Sequence, residues 1–285
     1  MQHSAEIASK PIACNRPRND GSSTGKKNII MKISSTTKPV YCIVLFCFMA
    51  LQAAAQSPKF KVLVVASLAK DHWRSISVGK EFFEKLGKEN NFSVDFTDDT
   101  AKINDANLAK YQVFVMFHLA AFDMSASQQA ALQKFVTQGK GWVGIHAAGL
   151  TGTQFIGPNS DKKYWEWFTT LMGGVIYSPH PAFQDGLVVV EDRTHPVTKG
   201  LPAKFWLADE WYEWDKSARG NVRVLATVDE STYKQNKPMG DHPMIWTNEN
   251  FHRMIYICIG HSPSDLENPN YIMLVKNAIL WAASK

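Results

Sequence analysis

Cysteine is scarce in this 285-residue chain: there are four, and three of them, Cys14, Cys42 and Cys47, fall within the first 56 residues. Beyond that point Cys258 stands alone, so no disulfide can close inside the remainder and no multi-cysteine metal site can form there. Cys258 lies within the apolar strand pattern "MIYICIG" and is expected to be a buried, inert thiol rather than a nucleophile. A basic excess is also missing once the leader is set aside. Residues 1–56 carry seven Lys/Arg and two Asp/Glu, and the rest of the chain carries 24 of each sign. The formal charge of +5 therefore gives no argument for nucleic acid, and no basic patch interleaved with aromatics supplies one. H-E-x-x-H and H-x-H spacings are lacking too, as are internal repeats and, after residue 60, low-complexity linkers.

The leader itself has a recognisable order. Lys32 and Lys38 precede the apolar run "VYCIVLFCFMALQAAA", which ends in small residues just before Gln56. A charged region, an apolar core and an A-x-A-like site predict a secretory signal peptide cleaved near Ala55/Gln56. The run is short for a single-pass anchor, which is the alternative. Residues 1–30 are a polar, patternless extension, and translation is expected to start at Met31. The expected location is periplasmic or secreted, with no stable membrane anchor after cleavage. Residues 57–285 suffice for one domain with a large core.

Within that stretch, "FKVLVVAS" (60–67) is a continuous apolar run, as expected of a strand covered on both faces. A helical pattern follows over 78–89, then strands over 92–98 and 112–118. Ser125 or Ser127 can cap a helix bearing Leu132, Phe135 and Val136, and Gly139 or Gly141 can end it. "GWVGIH" (141–146) is a fourth strand. This alternation predicts right-handed crossovers and a parallel sheet with helices on both faces. After Gly173-Gly174 come "GLVVVED", "FWLADEWYEWD", "VRVLATV", "PMIWTNE" and "RMIYICIG", strand-like pieces without long helices between them. They predict a mixed or antiparallel extension, closed by a helix starting near Asn268–Asn270.

"GWVGIHAAG" has the small-residue spacing of a nucleophile elbow, with Gly144 two residues before the bend and Ala148 two after. The usual Ser or Cys is replaced by His146. Ligands of open parallel sheets bind at the carboxyl ends of the strands, and His72, His118, His146 and His261 all follow predicted strands. His180, in "YSPHPAF", must return over the same rim. One such histidine is ordinarily a hydrogen-bonded loop anchor, but several on one rim suit acid/base work or metal ligation. The metal alternative would use His146, His180 and His261, with Asp209 or Glu210, and zinc as the cation. No other cofactor is expected. "DEWYEWD" (209–215) offers aromatic faces for a sugar and carboxylates for its hydroxyls, with Asp209 and Glu210 facing the pocket and Tyr212 beside them. An ordinary strand with Trp211 and Trp214 in the core fits the same alternation. Trp165 and Phe168 in "YWEWF" are expected to be helix packing, and His195 and His242, each before a proline, to be structural.

In order and spacing, "GWVGIHAAG", "HPVTKGLP", "DEWY", "PMIW" and "IYICIGH" resemble the trehalose-utilisation ThuA-like family over residues 61–283. That resemblance implies a flavodoxin-like, class I glutamine amidotransferase-like three-layer sandwich, its mostly parallel central sheet extended by antiparallel strands. Such amidotransferases pair an elbow Cys with a His after a late strand and a Glu two residues beyond. Here those positions hold His146, His261 and Pro263, so glutaminase chemistry is not expected. The resemblance implies a role with disaccharides such as trehalose, or 3-keto sugars derived from them. The expectation is a carbohydrate-modifying hydrolase, lyase or isomerase, with His146, His180 and His261 catalytic and His72, His118, Asp209, Glu210 and Tyr212 against a small sugar. A non-catalytic sugar-binding protein and a metal-dependent hydrolase of non-sugar substrates are the alternatives.

Overall fold

The longest apolar runs of the chain become its innermost strands. A computed structural model describes residues 57–66, 72–157 and 164–284; the leader and its expected cleavage site lie outside them. In chain order the first half comprises β1 (Lys61–Ala66), α1 (Trp73–Asn90), β2 (Ser93–Thr97), α2 (Asp105–Leu108), β3 (Val113–Phe117), α3 (Ala126–Thr137) and β4 (Gly141–Ile145). Then come α4 (Glu166–Leu171), β5 (Tyr177–Ser178), β6 (Gln184–Val190), β7 (Lys204–Asp209) and β8 (Glu213–Trp214). The chain finishes with β9 (Arg223–Asp229), β10 (Pro243–Thr247), β11 (Met254–Ile257) and α5 (Pro269–Ala282). Among the described residues no helix is long and apolar enough to cross a membrane.

One sheet runs β2-β1-β3-β4-β11-β10-β9-β6-β7. Neighbours from β2 to β11 are parallel, and those from β11 to β7 antiparallel. The expected mostly parallel sheet with an antiparallel extension is borne out. Strands β3, β4 and β11 are buried along their whole length, which only elements covered on both faces can be. The covering helices are identified by side-chain parity. Phe117 packs edge-on against Phe83 of α1 at 5.2 Å, and Phe114 packs against Phe135 of α3 at 6.5 Å. Those two β3 residues are an odd number apart and point to opposite faces, so α1 and α3 lie on opposite sides of the sheet. Tyr271 of α5 reaches Phe82 of α1 at 6.3 Å, which puts α5 on the α1 side.

Local chemistry sets the boundaries. Ser125 and Gln128 form a reciprocal capping box at the start of α3, and Asn268 caps α5 ahead of Pro269. Helix α1 begins five residues before the expected Val78, because Ser75, Ile76 and Gly79 already belong to its buried face. Trp165 and Phe168 stack at 5.4 Å beside α4, as expected of packing residues. His195 packs on Trp281, and His242 bonds Tyr233 Oη, Glu230 and the Tyr212 carbonyl, so both are anchors.

"FWLADEWYEWD" is not one strand. The Asp209 carboxylate accepts the Glu210 N–H at 2.7 Å and turns the chain there. The residues beyond it form β8, which pairs with β5 in a separate two-stranded ladder. Trp211 and Trp214, both beyond that turn, enter the core.

Candidate functional site

The carboxyl ends of the parallel strands converge on one patch of imidazoles. His118 follows β3 and His146 follows β4, both with left-handed backbone, φ 55° and 52°. Such a conformation costs a non-glycine residue about 1–3 kcal/mol and is held by its surroundings. At His146 the holding contacts are visible. The Tyr256 hydroxyl donates to its carbonyl at 2.8 Å, and its own Nδ1 donates to the Cys258 carbonyl at 2.8 Å. Gly144 is required beneath the bend, since a Cβ there would overlap the Trp142 ring. The strand-then-bend geometry of an elbow is thus present, carrying an imidazole.

Because β4 and β11 are parallel and in register at Ile145 and Ile257, the residues after β11 continue beside His146. Gly260, at φ 129°, turns the chain so that His261 faces the same pocket. From the far edge of the sheet comes Glu210, after β7. Register shifts between β9 and β10 bend the sheet, and the Gly260 N–H donates to Asp209 Oδ2 at 2.7 Å, tying β7 over the rim. His180 arrives after β5 and stacks on Tyr212 with ring centroids 5.2 Å apart.

Glu210 is the hub. Its Oε2 lies 3.1 Å from His261 Nδ1, 3.2 Å from His180 Nε2 and 3.5 Å from His146 Nε2. His146 Nε2 is also 2.9 Å from the Tyr212 hydroxyl and 3.3 Å from His261 Nδ1. His72, at the start of α1, stacks on His118 at 4.6 Å and meets His146 and His261 edge-on at 5.0 and 5.1 Å. The structure therefore brings His72, His118, His146, His180, Glu210 and His261 together from six separate parts of the chain. Glu210, His180 and His261 are partly open to solvent, whereas His146 and His118 are sealed.

Electrostatics divide the groups. Burial, reinforced by the neighbouring imidazoles, lowers the pKa of His72 to about 3 and that of His118 well below the usual value. Neither ring has a hydrogen-bond partner among the described residues; the Gly260 backbone opposes the shift at His118 without closing a bond. Burial also lowers His146, against the pull of Glu210. Burial alone would raise the Glu210 carboxyl, but the imidazoles of His146, His261 and His180 around it outweigh that and hold it below the usual range. Burial and then the Asp265 charge push Asp209 well up.

Four of the five residues expected to touch a sugar are buried, His72 and His118 as well as Asp209 and Tyr212. Asp209 has no exposed surface, and its oxygens take the Gly260 and Glu210 N–H groups. Tyr212 is 2% exposed, with its hydroxyl committed to His146. Sequence reasoning missed Asp265 and Phe183. Asp265 is buried four residues past His261 and two past Pro263; its Oδ2 accepts the Ser262 N–H at 2.7 Å and shapes that loop. Phe183 is exposed, and its ring stands 5.6 Å from His261 at the pocket mouth. An isolated Phe in a loop gives no sequence signal.

A mostly parallel sheet with an elbow at the central strand defines the class I glutamine amidotransferase-like fold. The glutaminase domain of Trypanosoma brucei CTPS has it, at 11% identity and TM-score 0.50 over 79% of this chain and 94% of that one. Residues 61–282 match the family model described as "ThuA: Trehalose utilisation", and the chain belongs to the ThuA family. A protein described as ThuA-like from Bacteroides uniformis ATCC 8492 is 32% identical, with TM-score 0.72 over 81% of this chain and 94% of that one. Another, from Parabacteroides merdae ATCC 43184, is 18% identical, with TM-score 0.59 over 80% and 91%. No curated protein matches the chain. The resemblance read from the sequence motifs is borne out.

Proposed function

We propose that this ThuA-family chain acts on a small carbohydrate, a disaccharide or its 3-keto derivative, by moving a proton at the pocket mouth formed by His180, Glu210 and His261. The observation that carries this reading is the single carboxylate oxygen of Glu210 lying within 3.5 Å of three imidazoles. His180 is placed to exchange the proton. Its Nδ1 donates to the Pro181 carbonyl at 2.8 Å, which leaves Nε2, 3.2 Å from Glu210, as the nitrogen that takes up and releases a proton. An imidazole held this way can protonate or deprotonate a carbon or oxygen beside a sugar carbonyl. Phe183 offers the apolar face that the C–H side of a sugar ring prefers.

Other chemistries have less support. The elbow bears no thiol or hydroxyl, and burial raises the Cys258 thiol far above its usual range. Glycoside hydrolysis commonly uses two carboxylates across the bond, and Asp209 is turned away from the pocket. One observation favours a second reading, a sugar-binding protein without turnover: His146, at the elbow, has no exposed surface. The basic-then-apolar leader supports a place outside the cytoplasm for either.

The test is incubation with trehalose, related disaccharides and their 3-keto forms, followed by NMR of products. Conversion that falls by roughly 10²-fold or more in His180→Ala supports the proposal. Full turnover in that variant overturns the role of His180, and binding without any product selects the second reading.

A further inference from the structure

We infer that the deeper part of this pocket is a mononuclear divalent-metal site, with His146 Nε2, His261 Nδ1 and Glu210 Oε2 as ligands and His72 as the fourth. The inference shares its pocket with the sugar proposal and deepens it. The set differs from the one the sequence suggested, because His180 drops out, Glu210 rather than Asp209 supplies the carboxylate, and His72 enters.

Geometry is the first support. The three atoms form a triangle with edges of 3.1, 3.3 and 3.5 Å. Ligands about 2.0–2.1 Å from a tetrahedral zinc stand about 3.3 Å from one another, so one cation fits between all three. Adding a nitrogen of His72 gives four ligand atoms mutually within 4.8 Å.

Orientation is the second. The Cys258 carbonyl can only accept, so His146 Nδ1 carries the proton and Nε2 presents a lone pair to the pocket. A backbone carbonyl holding the far nitrogen is the usual outer-shell support of a metal-bound histidine. That lone pair faces a carboxylate oxygen at 3.5 Å, an arrangement that a cation between them converts from repulsion to attraction. The Tyr212 hydroxyl, 2.9 Å from the same nitrogen, must turn aside for the cation to enter.

The third support is His72. It is 8% exposed, and neither of its nitrogens has a hydrogen-bond partner among the described residues. A buried imidazole without a partner is costly, and ligation would satisfy it. His180 is left out because it is not among the four residues whose ligand atoms lie mutually within 4.8 Å. A site of two or three imidazoles and one carboxylate suits Zn²⁺, Co²⁺ or Fe²⁺ over Mg²⁺ or Ca²⁺.

The experiment is titration of the full chain, freed of metal, with Co²⁺ and then Zn²⁺, read by visible absorption and by metal content after dialysis. One equivalent of Co²⁺ with a four-coordinate spectrum, displaced by Zn²⁺, is expected. His261→Ala and Glu210→Gln, both at partly exposed positions, should each weaken binding by roughly tenfold or more. His180→Ala and the remote His252→Ala should leave it within about threefold, well inside a tenfold step. Substoichiometric uptake, or uptake unchanged in both ligand variants, overturns the site. Equal weakening in His180→Ala overturns the ligand set. No sugar enters this measurement, so metal binding without turnover sinks only the sugar proposal, and turnover without metal sinks only this one.

Discussion

The Tyr212 hydroxyl sits 2.9 Å from His146 Nε2, and the Cys258 carbonyl accepts a hydrogen bond from His146 Nδ1 at 2.8 Å. Both ring nitrogens of a sealed imidazole are thereby committed, one to a side chain and one to the backbone. This clamp fixes the tautomer and holds the ring at the elbow.

Breaking the side-chain half of the clamp gives the first prediction. Tyr212→Phe removes one buried hydrogen bond and should lower stability by about 1–2 kcal/mol in urea unfolding. Because the hydroxyl competes for His146 Nε2, the variant should take up Co²⁺ at least as tightly as the parent. Weaker uptake would mean that the hydroxyl supports the site rather than shares it.

Gly260 gives the second. Its φ of 129° is a conformation that L side chains rarely adopt, and a Cβ there would overlap the Tyr271 hydroxyl. The same residue donates its N–H to Asp209 at 2.7 Å and leads directly into His261. Gly260→Ala should therefore cost more than about 1 kcal/mol and displace His261 together with the Asp209 tie. A lowered urea midpoint, with sugar turnover or metal uptake reduced beyond what the stability loss explains, would confirm it. Gly220→Ala, with open space around its Cβ, serves as the control.

Some of this architecture is legible in the sequence, for identifiable physical reasons. Continuous apolar runs such as Val62–Ala66 and Val113–Phe117 have one stable home, strands covered on both faces, and that placed the sheet and its carboxyl rim. The rim in turn located His72, His118, His146 and His261, since each lies just past a strand. Glu210 as hub was not legible, because its position depends on the bend between β9 and β10 and on the turn that Asp209 makes with its own backbone. Period-two alternation through "DEWYEWD" gave Tyr212 a place near the pocket but not its side of the wall. The hydroxyl points to His146 and the ring stacks under His180, a burial that no local pattern encodes.

Cys258 carries the third prediction. Its side chain is buried, and desolvation raises its pKa far beyond that of a free thiol. In the folded protein the Cys258 peptide should remain unmodified by iodoacetamide at pH 8, as mapped by mass spectrometry, and should react fully in urea. Because the carbonyl rather than the sulfur holds His146, Cys258→Ala should keep the pocket's activity while losing about 1–2 kcal/mol of packing. Native-state alkylation would show that the strand end opens.

The last prediction concerns acid stability far from the pocket. Asp192 accepts bonds from the Thr194 hydroxyl at 2.7 Å, the Thr194 and His195 N–H groups at 3.0 and 3.1 Å, and Arg223 Nη2 at 2.6 Å. Its slight burial raises the carboxyl's pKa, but the Thr194 and Arg223 bonds outweigh that and hold it at about 2, against an ordinary 3.8. The folded state thus binds its proton less readily than the unfolded chain. The stabilisation is complete above about pH 4, declines as the pH falls through the window from 3.8 to 2, and is lost below it. Arg223 is 42% exposed, so solvent screening limits the ion-pair share to about 1 kcal/mol or less, and the bonds from Thr194 supply the rest of the effect. Asp192→Asn should lower the urea midpoint at pH 7 and flatten the fall in stability between pH 4 and pH 2. Arg223→Lys should keep most of that slope. An Asn variant whose acid limb matches the parent's would place the titrating group elsewhere.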